Sequence, residues 1–309
     1  MTELIDQLET VILGKRTALT HLVAAVIAGG HVLIEDLPGL GKTTLAKALR
    51  AAVSSHHEPV RFRRIQCTPD LLPYDITGVD VFDPGHQRFI FQPGPVFTNI
   101  LLADEINRAT PKVQSALLEV MAESQVTVGG SPYPMDEFFI VIATENPVEM
   151  DGTYTLPLAE LDRFMIRLSL GYPDRDTELR ILNERPSEAV LPTLGAATTR
   201  SAILEARKTA AGVHVAPPIQ AAAVDIVRAT REDDRFSFGA SPRGVLMLVR
   251  MMQALALVNN RDYVTEDDLM ELCVPVLAHR VLPSGGANPV AVIAEIAQRH
   301  LELLYQVQR

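Results

Sequence analysis

Residues 35–44 read Glu35-Asp-Leu-Pro-Gly-Leu-Gly-Lys-Thr-Thr44, a glycine-rich loop that decides the fold. An apolar run at 31–34 precedes the loop, and a helix-like stretch at 45–50 follows it. This order is typical of a phosphate-binding loop, because glycines let backbone N–H groups turn inward and the helix points its positive dipole end at the anion. We therefore expect ATP phosphates to be bound by Asp36, Pro38, Gly39, Leu40, Gly41, Lys42, Thr43 and Thr44.

Two side chains of this loop have distinct expected roles. Lys42 is expected to be a solvated cation that reaches the β- and γ-phosphates, and Thr43 is expected to hold Mg²⁺. The loop departs from the strict G-x-x-x-x-G-K-[ST] pattern, because Asp36 stands where the first glycine belongs. Taken alone, the loop could also be an ordinary Gly/Pro turn before a helix.

A second segment supports the phosphate-loop interpretation. Residues 99–106 read Asn99-Ile-Leu-Leu-Ala-Asp-Glu-Ile106, an apolar strand pattern that ends in two acids. Ligands of open parallel sheets bind at the carboxyl ends of strands. Asp104 is expected to bind Mg²⁺ through its water shell, and Glu105 to orient and deprotonate the attacking water. The alternative is a pair of strand-end acids on a solvated edge.

Composition limits the class of protein. The 309 residues carry a net charge of −10, with a pI near 5.3, which argues against non-specific nucleic-acid binding. Only two cysteines occur, Cys67 and Cys273, so a disulfide scaffold or zinc site is not expected. The chain starts without a basic leader pattern, and its longest apolar stretch is too short to span a bilayer. We expect a cytoplasmic protein without direct membrane insertion.

The hydrophobic pattern predicts an α/β fold with a P-loop parallel sheet, followed by a small all-α lid. Residues 1–173 are predicted to form the ATPase domain and 174–309 the lid, with helices only after Tyr172. Two hairpin-like insertions are expected, at 79–91 and 126–135. The predicted strands are 31–35, 60–67, 100–104, 138–144 and 165–170. The predicted lid helices are 177–184, 200–210, 217–231, 242–258, 265–277 and 290–306.

Several blocks together carry a resemblance that covers nearly the whole chain. These blocks are Glu35-Asp-Leu-Pro-Gly-Leu-Gly-Lys-Thr43, Ala103-Asp-Glu-Ile-Asn-Arg-Ala109, Gln114-Ser-Ala-Leu-Leu-Glu119, Ala143-Thr-Glu-Asn-Pro147, Leu161-Asp-Arg-Phe164, Gly239-Ala-Ser-Pro-Arg-Gly244 and Ala278-His-Arg280. The chain resembles the MoxR group of AAA+ ATPases, in which Asp36 is a familiar loop variant. The resemblance implies a ring-forming Mg²⁺-dependent ATPase, a homo-oligomer and most often a hexamer. It also implies a chaperone role in assembling or metallating protein complexes, with von Willebrand factor A domain proteins as partners.

The resemblance also assigns three further catalytic residues. Asn146 resembles the first sensor, whose amide contacts the γ-phosphate and the lytic water, although an Asn before Pro147 also favours a turn. Arg163 resembles the arginine finger that one subunit inserts into its neighbour's site, unless it merely pairs with Asp162 or Glu160. Arg243, in the first turn of a predicted lid helix, resembles the second sensor. This chain carries Glu145 where the family commonly has Gln.

Other functions stay open at the level of sequence. A nucleotide-gated scaffold would bind ATP mainly to hold a ring together, and a metal-chelatase motor subunit has similar sequence blocks. The acidic charge makes a helicase or clamp loader less favoured. Arg61, Arg63 and Arg64 form a local basic cluster that fits either an intersubunit contact or a solvated sheet edge.

Overall fold

The computed structural model describes residues 1–55, 58–148 and 152–307. Its strands are β1 (Val32–Glu35), β2 (Val53–Ser54), β3 (Phe62–Gln66), β4 (Gly78–Asp83), β5 (Arg88–Pro93), β6 (Ile100–Asp104), β7 (Gln125–Val128), β8 (Ser131–Pro134), β9 (Ile140–Glu145), β10 (Ile166–Leu168), β11 (Thr198–Thr199), β12 (Phe236–Phe238) and β13 (Leu282–Pro283). Its α-helices are α1 (Thr2–Glu9), α2 (Arg16–Ala28), α3 (Lys42–Ala51), α4 (Pro73–Thr77), α5 (Pro111–Glu123), α6 (Leu158–Leu161), α7 (Arg175–Glu184), α8 (Pro186–Ala189), α9 (Arg200–Ala211), α10 (Pro217–Glu232), α11 (Pro242–Val258), α12 (Glu266–Leu277) and α13 (Pro289–Val307).

A five-stranded parallel sheet in the order β10-β1-β9-β6-β3 forms the centre of the first half of the chain. These are the five strands predicted from the apolar runs, so the expected α/β fold is confirmed. Strand β6 is buried along its whole length, as expected for a parallel strand covered by helices on both faces. The order places β9 between β1 and β6, so the carboxyl ends of all three meet at one edge of the sheet.

The two faces of the sheet belong to different hydrophobic clusters. Ile100 and Leu102 of β6 point into a large cluster that continues through α2 into the helices of the lid. Leu101 and Ala103 point into a smaller cluster that includes Leu117 of α5. This alternation follows from the two-residue period of a strand. The large cluster joins the ATPase sheet to the lid through one continuous core.

The hairpins follow the prediction, but the lid is not purely helical. Strands β4 and β5 pair antiparallel, as do β7 and β8, within one or two residues of the predicted insertions. In the lid, β12 pairs with β13, and β11 pairs with β2 of the first half of the chain. The expectation of helices only after Tyr172 was therefore wrong. These lid strands are two or three residues long, too short to produce a recognisable period in the sequence.

The lid helices begin where the sequence predicts, within one or two residues. Thr265 and Asp268 form a capping box at the start of α12, with the Asp268 carboxylate accepting from the Thr265 backbone N–H at 2.8 Å. The segment that precedes α9 is attached to the end of α3, because the Ala197 N–H donates to the Ala52 carbonyl at 2.9 Å. The domain boundary at 173/174 stays a prediction.

The described part of the chain contains neither a membrane-spanning helix nor a cluster of metal-ligand side chains. In residues 1–55, 58–148 and 152–307, no helix has the length and apolar character needed to cross a membrane. Within the same ranges, no group of three or more His, Cys, Asp or Glu side chains is arranged to hold a metal. Cys67 and Cys273 are buried free thiols, and burial raises the pKa of each to about 12.

Candidate active site

The glycine-rich loop between β1 and α3 has the backbone geometry of an anion cradle. Gly39 and Gly41 adopt left-handed φ angles of +85° and +87°, and Gly41 is the residue from which α3 starts. No atom lies within 4 Å of a Cβ built on Gly39, so the positive φ, and not lack of space, favours glycine there. The loop therefore delivers the N-terminus of α3 to the carboxyl edge of the sheet.

Lys42 is held by the protein's own carbonyl groups. Its Nζ donates to the Asp36 carbonyl, to the Leu37 carbonyl at 3.3 Å and to the Glu145 carbonyl at 3.5 Å. The residue is buried, and burial lowers the pKa of its ammonium group. The expectation of a solvated cation was wrong, because three backbone acceptors replace water around this charge.

Asp36 faces away from the phosphate cradle. Its carboxylate accepts from the Ser169 hydroxyl at 2.8 Å, from the Leu170 N–H and from the Gly171 N–H at 3.2 Å. These bonds tie the loop to the chain that leaves β10. The predicted phosphate contact from Asp36 is corrected accordingly: its side chain anchors the loop, and an acid aimed inward would repel the anion.

Thr144 of β9 organises the two acids at the end of β6. Its hydroxyl donates to Asp104 Oδ1 at 2.7 Å and accepts from the Glu105 N–H at 2.9 Å. Glu105 itself adopts φ +57° and ψ +53°, a left-handed conformation that costs a non-glycine residue roughly 1–3 kcal/mol. The sequence contains Thr144 inside the block Ala143-Thr-Glu-Asn-Pro147, but only the cross-strand pairing shows its role.

The edge strand β3 supplies a further layer of polar contacts. Arg64 donates to Asp104 Oδ2 from Nε at 3.0 Å and from a terminal nitrogen at 2.7 Å. Gln66, the register partner of Asp104, donates to Glu105 Oε2 at 2.9 Å, and Arg108 reaches the same oxygen at 3.2 Å. Gln66 was missed at the sequence level. Its only signal is its place at the end of a strand, on the same edge as the acids.

The basic cluster predicted from the sequence is divided by the structure. Arg64 belongs to the acid pair, whereas Arg61 and Arg63 line a separate cleft of about 440 Å³ together with Lys47 and Arg50 of α3. This cleft lies beside the edge strand, which is compatible with an intersubunit contact and with a solvated sheet edge. Both interpretations stay predictions.

One cavity of about 300 Å³ brings most of the predicted residues together. Its lining residues are Pro38, Gly39, Gly41, Lys42, Thr43, Thr44, Asp104, Glu105 and Asn146. Asn146 Oδ1 accepts from the Val148 N–H at 3.2 Å, a local turn contact that leaves the amide NH₂ as the end able to donate to an anion. The cavity thus combines a backbone cradle, a lysine, two acids and an amide donor.

Glu145 lies beside this cavity, and the pKa of its carboxyl group is raised. Burial and the neighbouring Glu35 raise its pKa to about 7, while Arg167 acts in the opposite direction. Arg167 pairs with Glu35 at 2.7 Å. The strand ends of β1, β9 and β10 therefore carry two acids and one cation next to Lys42.

An adjoining apolar cleft of about 210 Å³ shares the loop with this cavity. Its walls are the loop residues Gly39, Leu40, Gly41 and Thr44, the chain segments Val11, Ile12, Leu13, Lys15, Gly171 and Pro173, and Ile181, Pro186 and Ser187 from α7 and α8. Its size and apolar walls suit a flat heterocyclic base beside bound phosphates. The loop residues of this cleft were predicted to bind the cofactor, whereas the lining residues outside the loop were not predicted. The run Val11-Ile-Leu13 before Gly14 was a signal, but its partners at 181–187 are distant in sequence.

The two candidate arginines lie outside both cavities. Arg163 and Arg243 are absent from the described residues that line either space. Arg163 is half-buried after α6, and Arg243 is exposed in the first turn of α11. Asp162 pairs with Arg280 at 3.0 Å and not with Arg163. Neither arginine reaches the phosphate cradle within one chain.

Comparisons with known proteins agree with this arrangement. Residues 31–166 match the family described as "ATPase family associated with various cellular activities (AAA)", and residues 228–298 match the AAA lid domain. The chain is 37% identical to Chaperone MoxR1 of Mycobacterium tuberculosis, over 95% of this chain and 80% of that protein. The chain belongs to the MoxR family of AAA+ ATPases. All the phosphate-cavity residues fall in the first matched region, and Arg243 and Arg280 fall in the second.

Two further relatives show how widely this MoxR architecture is shared. The uncharacterized protein YeaC of Bacillus subtilis is 40% identical over 96% of this chain and 91% of its own length. The crystal structure of a proposed ATPase from Cytophaga hutchinsonii superposes with a TM-score of 0.86 at 36% identity, covering 96% of this chain and 93% of that one. The likeness therefore includes the sheet and the lid together.

Proposed function

We propose that this MoxR protein hydrolyses ATP in a Mg²⁺-dependent reaction at the contacts between its copies in a ring. The observation that carries the proposal is the single cavity lined by Gly41, Lys42, Asp104 and Glu105. A phosphate cradle alone would support binding. Two acids opposite the cradle add the groups that a metal ion and an attacking water require.

The residues present fit a magnesium ion. Thr43 and Asp104 line the same cavity and offer only oxygen atoms, which are the ligands that Mg²⁺ prefers. Bound Mg²⁺ would offset the negative charge of the phosphates during hydrolysis. Both oxygens of Asp104 already accept hydrogen bonds from the protein, which supports contact with Mg²⁺ through water.

Glu105 is the candidate general base. Gln66 and Arg108 both donate to its Oε2, so Oε1 is the oxygen left to accept a proton from water. Thr144 fixes the backbone of Glu105 from β9, which keeps the carboxylate at the end of β6. Lys42 and the amide of Asn146 would bind the phosphate oxygens on which charge accumulates.

The positions of Arg163 and Arg243 support assembly. Transition-state charge on the γ-phosphate is commonly neutralised by an arginine, worth ~10³–10⁵ in rate where it has been measured. Because Arg163 lies outside the cavities of its own chain, we assign it to the site of a neighbouring copy, in a ring of six. We assign Arg243 to sensing nucleotide from the lid.

The client-directed part of the proposal rests on the relatives. One relative is named a chaperone, so we propose that the ATPase cycle remodels or assembles client proteins, including insertion of metal cofactors. A protein with a von Willebrand factor A domain is the proposed partner, and cytoplasm the proposed location.

Replacing Glu105 by Gln tests the proposal. The amide preserves shape and hydrogen bonding but cannot accept the proton, so Glu105→Gln should bind ATP with wild-type affinity and lose turnover by at least about a hundredfold. Phosphate release and calorimetric titration measure the two quantities. Glu119→Gln, on the exposed face of α5, is the matched control and should hydrolyse normally. Wild-type turnover in Glu105→Gln would refute Glu105 as the base.

One observation favours a second candidate, a nucleotide-gated scaffold with little turnover. Arg64, Gln66 and Arg108 all engage the acid pair, an arrangement that holds both carboxylates in fixed hydrogen bonds. If the wild-type protein forms rings with ATP but releases no phosphate, the scaffold is the better description.

A further inference from the structure

Arg280 is a fully buried cation at the contact between the lid and the ATPase sheet. Its side chain has no exposed surface, and burial lowers its pKa to about 10, so it stays protonated at neutral pH. Its Nε donates to Asp162 Oδ1 at 3.0 Å, and its terminal nitrogens donate to the carbonyls of Phe164 and Met165. A lid cation thus holds the chain on both sides of Arg163.

Ser241 completes the hold on Asp162 from the same lid. Its hydroxyl donates to Asp162 Oδ2 at 3.0 Å. A serine before a helix commonly accepts a backbone N–H of the first turn, but Ser241 makes no such cap on α11. Both carboxylate oxygens of Asp162 are therefore bound by lid residues, and the N-terminus of α11 is tied to the finger segment instead of being capped.

The two candidate phosphate-contacting arginines flank this junction. Arg163 follows Asp162 directly, and Arg243 comes two residues after Ser241 in the first turn of α11. Arg243 is also close enough to Arg280 for its charge to lower the pKa of Arg280. Any displacement of α11 therefore acts on Asp162 through Ser241, the residue at the start of that helix.

We propose that Asp162, clamped by Arg280 and Ser241, couples the nucleotide state of one subunit to the arginine finger that it presents to the next. When Arg243 engages nucleotide, α11 moves with it, and the clamp moves the backbone that carries Arg163. Asp162, Ser241 and Arg280 are positioning residues in this scheme. The inference rests on the proposed roles of Arg163 and Arg243.

Rings that mix wild-type subunits with catalytically inactive Glu105→Gln subunits test the coupling. Glu105→Gln subunits present a normal finger to wild-type neighbours. Adding Ser241→Ala to them should weaken that finger and lower turnover at the wild-type sites on the order of ten-fold, the rate equivalent of one hydrogen bond to a charged group. Glu105→Gln with Ser237→Ala is the matched control, because the Ser237 hydroxyl in the same lid donates to the Leu282 carbonyl at 3.1 Å and, among the described residues, makes no hydrogen bond to Asp162.

Thermal unfolding and nucleotide titration distinguish a loss of coupling from a loss of folding or of nucleotide binding. Asp162→Asn and Arg280→Ala leave a buried group unpaired, so thermal unfolding decides whether they stay folded, whereas Ser241→Ala removes only a hydroxyl. Calorimetric titration of Ser241→Ala should show that the variant still binds ATP, because the clamp residues do not line the cavity.

The decisive comparison is with Glu105→Gln subunits that also carry Arg163→Ala. If these fail to lower turnover at wild-type sites, the proposed finger is wrong, and the coupling falls with it. If they lower turnover but the Ser241→Ala subunits behave like the Ser237→Ala control, the finger stands and the coupling is refuted.

Discussion

At the scale of single residues, the site is built from groups that are already satisfied by the protein. Lys42 is surrounded by carbonyls, and Asp104 by Thr144 and Arg64. A buried charge without partners would cost far more than one with several hydrogen bonds. These partners hold the reactive groups in place, so that binding phosphate needs exchange of hydrogen bonds but no large rearrangement.

Lys42→Ala should abolish measurable ATP binding while leaving the chain folded. The substitution removes the one ammonium group in the cradle and also frees three carbonyls, which should lower the free energy of unfolding by roughly 1–3 kcal/mol. Calorimetric titration measures binding, and urea unfolding measures stability. Lys47→Ala, exposed on the same helix, should change neither. Unchanged affinity in folded Lys42→Ala would reject the phosphate assignment.

Glu145→Gln should change how stability depends on pH. The folded-state pKa of Glu145 is raised from 4.5 to about 7, so between these values the folded protein keeps a proton that the unfolded chain has released. The free energy of unfolding must then fall as pH rises through this window, by up to about 1.4 kcal/mol per pH unit, and level off above it.

Urea unfolding across this window, for wild type and Glu145→Gln, checks the sign and the size of the effect. The Gln variant lacks this titration and should lose less stability as pH rises from about 5 to about 8. Glu119→Gln should keep the wild-type slope. Parallel curves for wild type and Glu145→Gln would show that Glu145 is not protonated in the folded protein.

At the scale of elements, sequence reasoning succeeded where one segment carries its own signal. Strand β6 was predicted with its observed bounds, because four buried apolar residues end abruptly in two acids. The loop after β1 was likewise readable from its glycines. The roles of residues that depend on other strands could not be predicted in this way. Thr144 and Gln66 reach the acids only through the sheet register. Lys42 is buried by carbonyl groups from three different residues.

The apolar cleft could not be predicted either, because its lining residues are far apart in the sequence. Ile12 and Leu40 come from the N-terminal segment and the loop, whereas Ile181 comes from α7, and no short pattern links them. A tertiary contact of this kind cannot be derived from local periodicity.

Ile181→Ala should weaken binding of ATP and ADP by the same factor. The Ile181 side chain lines the apolar cleft that suits the nucleotide's heterocyclic base, and it does not line the phosphate cavity. Its truncation should remove about 1 kcal/mol of apolar contact, which lowers the affinity roughly five-fold. Leu182→Ala, the exposed neighbour on the same helix, is the control. If only the affinity for ATP falls, Ile181 lies near the γ-phosphate, and the apolar cleft is not the site of the nucleotide's heterocyclic base.

At the scale of the whole molecule, the proposed reaction needs an arginine that the phosphate cavity of one chain does not contain among its lining residues. The cavity contains the cradle, the acids and the amide of Asn146, but Arg163 lies elsewhere on the same chain. One continuous core runs from the sheet into the lid and so connects the part of the chain that holds the cavity to the lid that contacts the finger segment. The missing cation must then come from a second copy if hydrolysis follows the proposed route.

Mixing two inactive variants tests this requirement directly. Arg163→Ala should bind ATP and be inactive alone, yet its Asp104 and Glu105 are intact and can act when a neighbour supplies the finger. Glu105→Gln has a normal finger and a dead site. Mixed rings should therefore regain hydrolysis at interfaces where a normal acid meets a normal Arg163, and the recovery should rise with total protein concentration, because ring formation follows mass action.

Neither variant alone should show this recovery at any concentration. Phosphate release measures the activity, and native mass spectrometry confirms that mixed rings form. The matched control mixes Arg163→Ala with a double variant, Glu105→Gln and Arg163→Ala, which offers no finger at any interface and should stay inactive. If confirmed mixed rings of the first kind are equally inactive, Arg163 is a structural residue beside the Asp162 clamp, and Arg108, which already contacts Glu105, becomes the next candidate for the finger.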